Sequence, residues 1–84
     1  MIQLTEFESL LLETFHLSDR DARRLDRVIT DLSIIVGMDS NEIFDFMRFG
    51  IEQEFEDLRK DYNWEKFRIR IQKKLKKTSP DFSP

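Results

Sequence analysis

The sequence predicts an all-α fold, a small compact bundle of three to four helices, and three observations point there. The chain holds two Gly and two Pro, with both Pro in the closing stretch TSPDFSP, so little in its body interrupts a helix. Three helix starts are marked by a capping residue followed three positions later by an acid: Thr5 with Glu8, Ser18 with Asp21, and Asp39 with Glu42. Apolar side chains recur at steps of three and four, the period of one helix face. With 39% hydrophobic residues and eight Phe, 84 residues fill one core and leave no material for a second.

The first helix is expected over about residues 5–16, where Phe7, Leu10, Leu11 and Phe15 share a side. The second runs over about 19–36, with Ala22, Leu25, Val28, Ile29, Leu32, Ile35 and Val36 on one arc. Gly37 then stands where a left-handed cap closes a helix. The third, about 40–60, gathers Ile43, Phe44, Phe46, Met47, Ile51, Phe55 and Leu58, with Gly50 in the same arc as a point of close helix approach.

The stretch NWEKFRIRIQKKLKK, residues 63–77, reads as the fourth helix, with Trp64, Phe67, Ile71 and Leu75 in one stripe and Ile69 alone on the far side. Strand alternation unites Phe67, Ile69 and Ile71 but accounts for neither Trp64 nor Leu75. Asn63 is a suitable cap, and the closing lysines complement the helix dipole. Residues 1–77 are thus expected to form a single helical domain, and residues 78–84 a flexible tail.

Without Cys, the chain has no disulfide framework, thiolate zinc site or cysteine nucleophile. No basic leader and no apolar run of about 20 residues is visible, so the expectation is a soluble cytoplasmic protein. Phosphate-binding glycine loops, paired metal-ligand motifs and a nucleophile elbow are also missing from the sequence. The lone His16, at the end of the first helix, fits a dipole partner better than a general base. Glu52, Glu54, Glu56, Asp57 and Asp61 lack the loop spacing of a calcium site and read as a solvated face. The chain is therefore expected to be no enzyme and to need no cofactor or metal.

Charge is divided along the chain. Residues 1–62 carry 7 basic and 15 acidic side chains, whereas residues 63–77 carry 7 basic and 1 acidic. Such blocks either close on each other or face separate partners. Glu54 falls among Ile43, Met47 and Leu58 by helical angle, where an unpaired carboxylate is costly to bury, so either the helix has left the core there or Glu54 meets a cation such as Arg68 from the last helix.

Two surfaces are candidates for a partner. Phe49 lies on the otherwise polar side of the third helix with Asp45, Glu52 and Glu56, an apolar anchor among acids that would select a basic protein. Ile34 and Leu12 are likewise off their helices' arcs, and homodimerisation competes with intramolecular burial for these side chains. The second surface is basic: Arg20, Arg23, Arg24 and Arg27 on the second helix, and Lys73, Lys74, Lys76 and Lys77 at the end of the fourth. Nucleic acid would engage Arg20, Arg24, Arg27 and the lysines, with Trp64 and Phe67 stacking if exposed. The simpler arrangement pairs Arg23 with Asp19 and Arg27 with Asp31 along the helix and packs both aromatics inside. A membrane surface is disfavoured, because the core uses the apolar stripe of the basic helix and the rest of the chain is acidic.

Between Ser18 and Leu58, a helix with RRLDRV, a turn at Gly37 and MDSNEIF opening a second helix resemble the helix pair of the ribbon-helix-helix regulators, over about half the chain. The resemblance implies a DNA-reading strand before the first of these helices and an obligatory dimer. Here the preceding residues, LLLETFHL, contain no Arg or Lys. The leading functional expectation is a non-enzymatic regulatory or adaptor protein that binds a protein partner through the acidic, aromatic face; the alternative is a nucleic-acid-binding regulator.

Overall fold

The structure, a computed structural model, describes residues 3–78. It is all-helical, with five helices: α1 (Glu6–Phe15), α2 (Asp19–Val36), α3 (Ser40–Met47), α4 (Glu52–Asp61) and α5 (Trp64–Thr78). No strand occurs among the described residues, and α1 occupies the place where the ribbon-helix-helix resemblance required one. Thr78, expected to open the tail, is the last residue of α5, and the rest of the expected tail, residues 79–84, lies outside the described residues.

Local chemistry explains most boundaries. Thr5 N–H donates to Glu8 Oε1 at 2.9 Å and Glu8 N–H donates to Thr5 Oγ1 at 3.1 Å, a reciprocal box that satisfies two orphan amides. At α2 the capping is one-way, from Asp21 N–H to Ser18 Oγ at 3.2 Å. Asp39 takes the extended capping conformation before α3, but its side chain makes no cap hydrogen bond among the described residues. Asn63 Oδ1 accepts from Lys66 N–H at 3.1 Å and starts α5. His16, Gly37 and Tyr62 close α1, α2 and α4 in the left-handed region.

The expected third helix is two helices. Gly50 adopts φ +87, and the chain bends through Arg48–Ile51 before α4 begins. A Cβ added at Gly50 would meet nothing within 4 Å among the described residues, so the glycine serves backbone conformation and not the close helix approach that its position suggested. Lys74 Nζ donates to the Gly50 carbonyl oxygen at 3.1 Å, satisfying an acceptor that the bend removes from a helix ladder. The break keeps Ile43 and Met47 on one side of it and Ile51 and Leu58 on the other all in the core.

Helix α2 is central: it packs against α1, α3 and α5, while α4 packs on α5. Leu25, Ile29 and Leu32 of α2 are fully buried with Leu11, Ile43, Met47, Ile51, Ile71 and Leu75. Around them runs a chain of aromatic contacts. Phe44 meets Phe7 and Phe15 at centroid distances of 5.9 Å each, Phe15 meets Phe55 at 5.0 Å, and Phe55 meets Phe67 at 5.2 Å. Phe67 in turn meets Trp64 at 5.7 Å, so one aromatic series joins α1, α3, α4 and α5. Trp64 and Phe67 are buried, as the simpler reading of the basic helix required. Two positions expected in apolar arcs, Leu10 and Ile35, are exposed.

Gly50→Ala is expected to lower stability by about 1–2 kcal/mol, the cost of forcing a side-chain-bearing residue into the left-handed region. Urea denaturation measures it; an unchanged or higher midpoint contradicts the conformational role given to Gly50.

Candidate interaction surfaces

The opposite charge blocks meet along the α4–α5 seam. Lys66 pairs with Asp61 at 3.4 Å, Arg70 with Asp57, and Lys74 with Glu54 at 3.0 Å. On α5 the cations step by four, and on α4 the acids step backwards by four and three, the register of antiparallel neighbours. Glu54 is 8% exposed, and its partner is Lys74, not Arg68. Arg68 instead donates to Gln72 Oε1 at 2.8 Å along its own helix. The Asp57 carboxyl is held below the usual carboxylate range, chiefly by its hydrogen bond from Arg70 and secondarily by Gln53. Its contribution to stability is therefore present above pH 3.8 and lost as pH falls through the lowered value.

The seam divides the lysine candidates. Lys74 is committed to Glu54 and Gly50, whereas Lys73, Lys76 and Lys77 are exposed near the end of α5. With Trp64 and Phe67 buried, this end offers a nucleic acid cations but no stacking ring from the stripe.

The α2 arginines lie along a groove with α5. Arg20, Arg24 and Arg27 are exposed, and with half-buried Arg23 they line an open depression on α2 alone that adjoins it. Arg24 and Arg27 continue into a stretch walled by Trp64 and Arg68 of α5, with Asp31 and Glu65 as its acids. Asp31 and Arg68 continue again to Ile34 and Ile35, which are 78% and 46% exposed. The groove is thus basic at one end and apolar at the other. Neither Arg23 with Asp19 nor Arg27 with Asp31 forms an ion pair within 4 Å among the described residues. Arg23 Nε and Trp64 Nε1 are buried without a hydrogen-bond partner among those residues. Arg68, which the sequence offered as one example of a cation for Glu54, lines the groove from α5 together with Trp64 and Glu65.

The second surface is the α3–α4 elbow. Phe49 projects from it, 71% exposed. Arg48 lies with its guanidinium 5.6 Å from the Phe49 ring centre and 5.8 Å from that of Phe44, and it pairs with Asp45 at 3.9 Å. Asp45, Glu52 and Glu56 are all exposed, as the sequence pattern suggested. They do not share one helix, because the bend separates Asp45 on α3 from Glu52 and Glu56 on α4. Arg48, passed over in the sequence, puts a cation among the acids.

His16 is exposed at the α1 C-cap, its N–H donating to the Leu12 carbonyl. Tyr62 caps α4, and its hydroxyl donates to Asp21 Oδ1 at 2.7 Å, fixing the α4–α5 turn to the first turn of α2. No group of three or more His, Cys, Asp or Glu among the described residues is arranged to hold a metal ion, and no described helix is long and apolar enough to cross a membrane. No family model, curated protein or solved structure matches the chain.

Two expectations follow. Lys74→Met leaves the buried Glu54 carboxylate without its ammonium and should cost about 1–3 kcal/mol, whereas Glu54→Met leaves a lysine that reaches water and should cost less. The double substitution should recover most of the loss; equal costs for the two single variants in denaturant titrations would contradict this seam. The Asp26 carboxyl is pushed up from 3.8, first by burial and then by Glu8. The folded state therefore binds the extra proton, so this group's effect on stability turns unfavourable as pH rises above 3.8. Asp26→Asn should stabilise the fold at neutral pH and lose that advantage below pH 3.8; a gain independent of pH would refute the assignment.

Proposed function

We propose that this chain is a non-enzymatic protein-interaction module whose α2–α5 groove receives an acidic, amphipathic segment of a partner. The observation that carries this reading is a row of three shallow depressions that share Arg24 and Arg27, then Asp31 and Arg68, and run from the arginine end at Arg20, Arg24 and Arg27 to the exposed pair Ile34 and Ile35. Guanidiniums recognise carboxylates by paired hydrogen bonds, and the isoleucines give an apolar side chain somewhere to bury. A segment with acids on one part of its face and an aliphatic or aromatic anchor on another satisfies both ends.

Nucleic acid fits the same groove less well. Asp31 and Glu65 stand among its cations, its far end is apolar, and the aromatic rings of α5 that would stack on bases are buried. Duplex or single-stranded nucleic acid rewards a continuous line of cations along a backbone, and here Asp31 and Glu65 interrupt that line between the α2 arginines and Arg68.

The test is capture from native lysate on immobilised protein, with nuclease treatment and salt-step elution, for the wild type and the variant Arg20→Gln, Arg24→Gln, Arg27→Gln. A defined protein retained after nuclease and reduced at least about tenfold by the variant is expected. Retention that disappears with nuclease and falls steeply with salt would transfer the groove to nucleic acid. Capture unaffected by the variant would remove the groove from the function.

A further inference from the structure

We infer that a second copy of this chain is an occupant of the groove, inserting its α3–α4 elbow between α2 and α5. The inference rests on the groove reading above and names the partner for that site. The molecule carries both halves of a complementary contact on different elements. The groove offers Arg20, Arg24, Arg27 and Arg68 beside the exposed Ile34 and Ile35. The elbow and the α4 turns that follow it offer exposed Asp45, Glu52 and Glu56 and an exposed Phe49. Each side pairs one sign of charge with one apolar feature.

The complementarity follows from how the seam uses charge. Lys66, Arg70 and Lys74 are spent on Asp61, Asp57 and Glu54, all within α4 and α5. Glu52 and Glu56 remain exposed on α4 outside those pairs, and the α2 arginines lie outside them too. On the elbow, Arg48 holds the Phe49 ring from one side and pairs with Asp45, which leaves Glu52 and Glu56 as the acids facing an incoming guanidinium. Chains this short bury a smaller share of their surface than larger domains do, and association adds apolar burial that one copy lacks.

Elbow and groove are different patches, so the contact joins unlike surfaces. Two copies satisfy it either as a closed pair, each elbow in the other's groove, or as a chain of copies. Both arrangements have the same requirement of one intact groove and one intact elbow per contact.

That requirement sets the experiment. Mass is measured by sedimentation or light scattering over a wide concentration range for the wild type, for the groove variant Arg20→Gln, Arg24→Gln, Arg27→Gln, and for the elbow variant Phe49→Ser, Glu52→Gln, Glu56→Gln. The wild type is expected to rise above the 10.2 kDa of one chain with concentration, and each variant to remain at 10.2 kDa. An equimolar mixture of the two variants should recover a species of two chains, because an intact groove from one meets an intact elbow from the other. A wild type that stays at 10.2 kDa throughout, a mixture that stays monomeric, or a variant that associates as the wild type does would overturn the inference. If the groove variant still loses a captured foreign protein while the wild type is monomeric, the groove keeps its proposed function and the second copy is not its occupant. Circular dichroism checks folding. Where a triple variant unfolds, the single reversals Arg24→Glu and Glu56→Lys replace it, each expected to weaken association about tenfold and to restore it when mixed.

Discussion

The seam between α4 and α5 governs much of this fold. Lys66, Arg70 and Lys74 close on Asp61, Asp57 and Glu54, so a chain whose two parts carry opposite charge becomes one body. Two of these pairs are partly or largely solvated and contribute little singly. The third is different, because Glu54 is buried and requires its cation. Lys74 also holds the Gly50 carbonyl, so one ammonium joins the seam to the bend that creates α4. With α4 fixed on α5, Phe55 and Phe67 meet, and the aromatic series reaches back to α1.

The seam also decides which charges face outward. It draws in the basic helix that looked most like an arm for nucleic acid, and Trp64 and Phe67 are buried with it. The α2 arginines stay outside the seam, along a groove whose other wall includes Arg68. One cationic surface thus lies on α2, apart from the exposed Lys73, Lys76 and Lys77 near the end of α5, and the feature beside it is a pair of exposed isoleucines. The proposal of an acidic protein segment as its partner rests on that composition.

Much of the architecture was legible because it is local. The caps at Thr5, Ser18, Asn63 and Gly37 are short-range chemistry, and the stripe Trp64, Phe67, Ile71, Leu75 is buried as its spacing required. The bend at Gly50 was hidden by continuity of the apolar pattern, since Ile51 and Leu58 extend the spacing of Ile43 and Met47 across it. Glu54 was recognisable as an anomaly, but its partner depends on how α4 and α5 register. A signal was present: cations at steps of four on one helix face acids at steps of three and four on the other. Phe49 and the acids Asp45, Glu52 and Glu56 are exposed as read, yet the bend divides them between helices. The groove was half legible, its α2 arginines being adjacent in sequence, while Arg68 and the exposure of Ile35 depend on where α5 lies.

The most direct measurement is zero-length coupling of lysines to carboxylates in the dilute protein, with the linked peptides mapped by mass spectrometry. A closed seam should give Lys74 linked to Glu54 and Lys66 linked to Asp61 as leading products within one chain, with Lys73 and Lys77 contributing little to α4. Leading links from Lys73 or Lys77 to the α4 acids, or an absence of both seam links, would mean that the charge blocks meet in another register. The groove built on that register would then fall with it.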